Sequence, residues 1–154
     1  MTIRAVILWV HVLCGVVWVG VCASFILAAL AGEPNEAYAA AAKVAPQINR
    51  LCVPLAIAIP VTGIGNLFFA VLARGTVLPT EFVLIIAAKI GLLAVMALAL
   101  VAASRAAKIL EEKPPPGAPK SPDGVHVRSI VASYGLIVGA GIVALGLGLW
   151  LSGT

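Results

Sequence analysis

The chain has 154 residues, of which 62% are hydrophobic and only 10% are charged. In a water-soluble domain about a quarter of the residues are charged. This composition therefore excludes a water-soluble domain and predicts an integral membrane protein with no separate soluble domain. The net charge of +4 comes from basic residues that flank apolar segments, where they set orientation and meet lipid headgroups, and it is not typical of a nucleic-acid binder.

Four apolar stretches are each long enough to cross a bilayer, which takes about 20 helical residues. They cover about 5–31, 51–73, 82–104 and 129–151. Because a backbone in hydrocarbon must satisfy its own hydrogen bonds, all four are predicted to be helices. The fold expected is an all-α integral membrane four-helix bundle of antiparallel up-and-down spans, forming a single transmembrane domain over 1–154. The first stretch is too long for the apolar region of a signal peptide and is predicted to be a retained span.

The connections differ in composition. The first, 32–50, holds the alanine-rich piece EAYAAAAK, which is interpreted as a short interfacial helix. The second, 74–81, is short, so the second and third spans should form an antiparallel hairpin. The third includes a proline-rich loop, 113–122, which is predicted to be extended and solvated.

Basic residues predict the orientation of the bundle. By the positive-inside rule, both termini should lie outside, on the periplasmic side of a bacterial cytoplasmic membrane. Two basic residues, Arg4 and Arg74, fall at the outer end, and seven fall in the inner connections: Lys43, Arg50, Arg105, Lys108, Lys113, Lys120 and Arg128.

The fourth span is rich in glycine, and Gly135 and Gly139 form a GxxxG pair. Small residues at this spacing let helices approach closely, either within the bundle or against a neighbouring protein. A second interpretation is that the glycines clear space for a flat cofactor.

His11 and Lys89 are the ionisable residues that lie inside the apolar spans. A charged group in a bilayer costs roughly 2.5–3.5 kcal/mol on insertion scales, so such residues usually have a function. Counting along the helices from Arg4 and from Glu81 places both groups ~10–12 Å from the outer face. Asn66 is expected in the same layer, opposite a patch of small residues on the fourth span: Gly141, Val143 and Ala144.

The chemistry of this layer is compatible with a metal or a haem, with a buried packing histidine and a water-filled cavity around Lys89 as the alternatives. His11 begins a helical stripe that continues through Cys14 and Trp18; such a stripe is often only packing, but imidazole is the commonest metal ligand. No span supplies a carboxylate for Lys89, and because burial favours its neutral amine, the lone pair could bind a metal. His11 and Lys89 are therefore candidate axial ligands of one haem iron. The remaining candidate cofactor-binding residues are Asn66, Trp18 and, for the haem propionates, Arg4 and Arg74.

The cysteines offer an alternative. Cys14, Cys22 and Cys52 lack the close spacing of a zinc site or a redox motif, so burial as small hydrophobic residues is the simpler interpretation. Soft sulfur also binds copper. Copper handling through His11, Cys14, Cys22 and Met96 therefore stays open beside the haem hypothesis.

Three segments carry a family resemblance. The first span reads WVHVLCGVVWVG, the second RLCVPLAIAIPVTGIGN and the third AAKIGLLAVMALALVAASR. They resemble the four-helix module shared by the copper-resistance D (CopD-like) family and the HemJ-type protoporphyrinogen oxidase family. The resemblance implies a bundle that binds b-type haem or handles copper, with the family's haem-ligating histidine and lysine falling on His11 and Lys89. After Trp18, however, VGVCASFILAALAG stands where the HemJ-type family has a tyrosine, a proline and a basic cluster, which argues against the oxidase activity.

The function expected from the sequence is therefore electron transfer by a small haem b-binding membrane protein, as a subunit of a larger membrane complex or as a homo-oligomer. The alternatives are a CopD-like copper uptake or resistance protein and a structural subunit without a cofactor.

Overall fold

A computed structural model describes the backbone of residues 2–31, 34–74, 79–111 and 123–153, and the side chains within 2–31, 43–73, 79–109 and 125–150. It contains four α-helices: α1 (Ile3–Leu30), α2 (Pro34–Arg74), α3 (Thr80–Glu111) and α4 (Asp123–Gly153). Each is long and apolar enough to cross a membrane. The all-helical prediction is confirmed at this level, and the described residues contain no strand. The proline-rich loop 113–122 lies outside the described residues.

The helices extend beyond the apolar stretches. The largest difference is at α2, which begins at Pro34 and runs without interruption through the alanine-rich piece. That piece is therefore not a separate interfacial helix. Alanine is the strongest helix former, and a proline removes only one backbone hydrogen bond of a long helix, so α2 accommodates Pro46, Pro54 and Pro60.

Contacts along the bundle define its register. On α1 and α2, Ile7 lies beside Gly65, His11 beside Gly63, and Cys22 beside Cys52, so the two helices are antiparallel. On α1 and α4, Val19 meets Gly141 and Phe25 meets Tyr134, which is again antiparallel; Lys89 and Met96 of α3 pair with Gly148 and Gly141 of α4 in the same sense. We call the end at which α1 and α3 begin and α2 and α4 finish the Ile3 end.

The hydrophobic core is concentrated in the half of the bundle away from the Ile3 end. Trp18, Cys22, Cys52 and Tyr134 are fully buried there. In the Ile3 half, every described side chain of α1 before Trp18 and of α2 after Cys52 is at least partly exposed, and so is every one of α4 after Gly141. On α3, Phe82 alone among the described residues before Met96 is buried. The helices are thus tightly packed at one end and loosely packed at the end that carries His11 and Lys89.

Glycine permits close packing at a different place from the one predicted. Gly135 and Gly139, the GxxxG pair, have open space around them, so they make no close helix contact with the part of the chain that the structure describes. Gly141 instead lies directly against Val19 of α1 and close to Met96 of α3. The prediction that Gly141 lies opposite His11 and Lys89 is therefore wrong, because α4 is set back from the Ile3 end relative to α1, so that Gly141 is level with Val19.

Candidate functional site

His11 is held against α2 by its Nδ1 atom. Nδ1 lies 3.1 Å from the carbonyl oxygen of Ile59 and 2.9 Å from Oγ1 of Thr62. The Thr62 hydroxyl in turn donates to the carbonyl oxygens of Ala58, at 2.7 Å, and Ile59, at 3.1 Å. The imidazole is therefore fixed to one turn of α2 by a small hydrogen-bond network.

These contacts assign the tautomer of the ring. A carbonyl oxygen only accepts hydrogen bonds, so its contact with Nδ1 places the proton on that nitrogen. The Thr62 hydroxyl proton is engaged by Ala58, so Oγ1 is likewise an acceptor for Nδ1–H. In the neutral ring, Nε2 then carries the lone pair and is the atom that can bind a metal or accept a proton. This arrangement, with one ring nitrogen bonded to the protein and the other available, is the usual one for metal-binding histidines.

The local sequence of α2 explains how the imidazole comes so close. A Cβ atom on Gly63 would lie 3.3 Å from Cε1 of His11, so any side chain there would crowd the ring. One turn further along, Gly65 accepts Ile7 in the same way. The segment PVTGIG thus provides a flat surface for α1 and the hydroxyl that anchors the ring.

Lys89 extends from α3 to α4. Its Nζ atom lies 2.9 Å from the position that a Cβ on Gly148 would occupy. The acidic side chain that the structure describes, Glu81, is exposed and two turns away on the same helix. Because side chains on a helix lean toward its N-terminus, the amine lies nearer the Ile3 end than the Lys89 Cα atom does.

The register brings Lys89 level with His11. Val19 of α1 meets Gly141 of α4, and seven residues further toward the Ile3 end Gly148 comes level with Val12, next to His11. The Lys89 amine is also close enough to His11 to act on its ring electrostatically. The two ionisable groups of the spans therefore lie at one level in the loosely packed half.

Asn66 follows Thr62 by one helical turn and lies about level with Ile7. Its Nδ2 atom is buried and has no hydrogen-bond partner among the described residues. A buried amide donor without a partner is unfavourable by about 1–3 kcal/mol, so it indicates a missing acceptor.

The other predicted site residues lie elsewhere. Trp18 is fully buried two turns deeper than His11, where it neighbours Cys52. Arg4 is exposed in the first turn of α1, at the Ile3 end, and Arg74 is the last residue of α2, with its side chain outside the described residues. Cys14 is half-buried, and Met96 packs beside Gly141.

Two features of the site were not predicted from the sequence. One is the anchoring of His11 by Thr62 and Ile59, which depends on the register between α1 and α2. The other is the contact of Lys89 with Gly148. The pairing of Thr62 with Gly63 in an apolar helix is the signal that could have pointed to the first.

Comparisons with known proteins add no relative: no family model, no curated protein and no solved structure matches this chain.

Proposed function

We propose that this chain is an integral membrane protein that binds a b-type haem in the Ile3 half of its bundle and serves in electron transfer. The observation that carries the proposal is His11, whose Nδ1 is anchored by Thr62 and Ile59 while Nε2 makes no hydrogen bond to the described residues. In the resemblance to the HemJ-type family, the haem-ligating histidine and lysine fall on His11 and Lys89, which supports the same proposal.

The residues present fit a haem in three respects. His11 offers a neutral nitrogen ligand whose orientation is fixed by its hydrogen bonds. The buried Nδ2 of Asn66 lacks an acceptor, which a haem carboxylate would supply. The side chains of the Ile3 half are only partly buried by one another, so a bound group there would cover further apolar surface.

Each residue has a distinct role in this proposal. His11 would bind the iron, and Lys89 would act as the second ligand or as a nearby positive charge that favours the reduced state. Asn66 and Arg4 would bind propionates, with Arg74 at the same end. When bound, the haem supplies one-electron redox chemistry; the protein sets the ligands, the dielectric and the solvent access.

The membrane placement and the partners belong to the same proposal. The distribution of basic residues favours an orientation with both termini outside, which in a bacterial cytoplasmic membrane is the periplasmic side. The apolar outer faces of the helices, with Leu13, Leu98 and Leu149 largely exposed, suit contact with lipid, with further membrane subunits or with a second copy of the chain.

The absorption spectrum of the purified protein tests the function. Expressed in a haem-producing host and purified in detergent, the protein is expected to show a Soret band and a b-type pyridine haemochrome, at about one haem per chain. Protein that remains monodisperse and helical but takes up no haem, even when haem is added, would rule the proposal out.

Thr62 is expected to control how well His11 binds. Thr62→Val removes the hydroxyl that accepts from Nδ1 but leaves the Ile59 carbonyl, and losses of second-shell partners typically weaken metal affinity by about 10–100-fold. We expect haem affinity to fall by about tenfold, the lower end of that range, as measured by competition with apomyoglobin.

Thr62→Ser is the matched control, since it keeps the hydroxyl and should retain nearly the full affinity. Equal losses in the valine and serine variants would show that the packing of the threonine methyl group matters rather than the hydrogen bond.

A further inference from the structure

A pair of thiols lies in the tightly packed half, away from His11. Cys22 of α1 and Cys52 of α2 are both free cysteines and both fully buried. Both belong to one buried cluster, and the register that sets His11 beside Gly63 brings the two thiols level with each other. Thirty residues separate the two cysteines in sequence, and the antiparallel pairing of α1 with α2 brings them together.

The indole N–H of Trp18 is a hydrogen-bond donor that lies beside this pair of thiols. Its indole is fully buried, and its N–H has no hydrogen-bond partner among the described residues, although the Cys52 sulfur is its neighbour. An indole N–H can only donate, and a thiolate accepts hydrogen bonds much better than a thiol does. The indole N–H can therefore donate to Cys52 when its sulfur is a thiolate, the form that binds metals.

The rest of the pocket is neutral. Tyr134 of α4 packs edge-on against Phe25, with ring centroids 5.0 Å apart, and donates from its hydroxyl to Oδ1 of Asn49 at 3.4 Å. The described residues contain no cluster of three or more His, Cys, Asp or Glu that could hold a metal. The ligands that this part of the core could give to a metal are therefore two sulfurs, with apolar side chains around them. This set does not suit zinc, which takes four ligands, and it suits soft ions of low coordination number.

We propose that Cys22 and Cys52 form a binding site for a soft, two-coordinate d10 cation such as Cu(I), held between the two sulfurs, with the Trp18 N–H donating to the Cys52 thiolate. Binding displaces both thiol protons and transfers no electrons: one Cu(I) and two thiols give a bis-thiolate complex of charge −1 and two released protons. The indole hydrogen bond stabilises part of that negative charge.

This site is independent of the proposed haem site. Eleven residues of α1 separate Cys22 from His11, which corresponds to about 16 Å along the helix. A failure of either proposal therefore leaves the other intact, and the two are read out by different ligands and different substitutions.

Anaerobic titration with Cu(I), in competition with a chromogenic Cu(I) chelator, tests the proposal on the full chain in detergent. We expect one tight equivalent per chain. Cys22→Ser and Cys52→Ser should each weaken binding at least tenfold, because each removes half of the sulfur ligands. Cys14→Ser, the same substitution at the third cysteine, should leave the affinity unchanged.

Two further measurements keep the test decisive if a cysteine variant fails to fold. A pH indicator should record two protons released per Cu(I) by the wild-type protein in weak buffer. Trp18→Phe should lower the affinity by about tenfold or more, the effect of one hydrogen bond to a charged acceptor. Absence of a tight equivalent, loss of binding in Cys14→Ser, or a Cys22–Cys52 disulfide in protein purified anaerobically would each overturn the proposal.

Discussion

Replacing His11 with alanine is expected to abolish haem binding. Second-shell partners alone contribute about 10–100-fold to metal affinity, so loss of the ligand itself should exceed about 100-fold. The Soret band of the purified His11→Ala protein should therefore be absent or reduced to loosely bound haem. The substitution should leave the backbone of α2 at Ile59 and Thr62 unchanged, because the Thr62 hydroxyl still donates to the carbonyl oxygen of Ala58.

Two controls separate ligand loss from misfolding. His126→Ala changes the other histidine of the chain, near the start of α4 and far from the Ile3 end, and should keep full haem content. Imidazole added to the His11→Ala protein should restore a low-spin haem spectrum, since it can occupy the space left by the side chain. A normal Soret band in His11→Ala would contradict the assignment of His11 as the ligand.

The role of Lys89 follows from the same spectra. If its amine is the second ligand, Lys89→Leu should change the spin state of the iron, because leucine cannot bind it. If the amine is only a nearby charge, the spin state should hold and the midpoint potential should fall, because a positive charge favours the reduced haem. Unchanged spin state and unchanged potential together would remove Lys89 from the site.

Composition and apolar length were enough to predict the helices, because a bilayer allows few structures for uncharged segments of this length. They also identified His11 and Lys89, since an ionisable residue inside such a segment stands out. The partners of these residues were harder to predict. Thr62 and Gly148 lie on other helices, and their alignment depends on the register, which is set by side-chain packing rather than by the hydropathy of any one helix.

Depth counting failed at α4 for a related reason. The count assumed that the fourth span ends level with Arg4, whereas the contact of Val19 with Gly141 places Trp150 about level with Val10, so Gly141 lies further from the Ile3 end than predicted. The cysteine pair was missed because sequence spacing identifies metal and redox motifs only when the ligands are close along the chain. Cys22 and Cys52 become neighbours through the pairing of α1 with α2.

The glycine that makes close packing possible is Gly141, and substituting it should destabilise the bundle. A Cβ atom there would collide with Val19, so Gly141→Ala forces α1 and α4 apart in the tightly packed half. Overpacking of this kind costs about 1–3 kcal/mol. The apparent melting temperature of the protein in detergent should fall by several degrees, as followed by circular dichroism at 222 nm.

Gly139→Ala is the matched control, because it makes the same change two residues away where a Cβ meets nothing within 4 Å. It should leave the melting temperature unchanged or raise it, since alanine is favoured over glycine in a helix by about 1 kcal/mol. Val19→Ala should partly rescue Gly141→Ala by removing the methyl groups that collide, so the double variant should be more stable than the sum of the two single effects predicts. Equal destabilisation by Gly139→Ala and Gly141→Ala, or strict additivity in the double variant, would mean that the contact between α1 and α4 at Gly141 is not what holds these helices close.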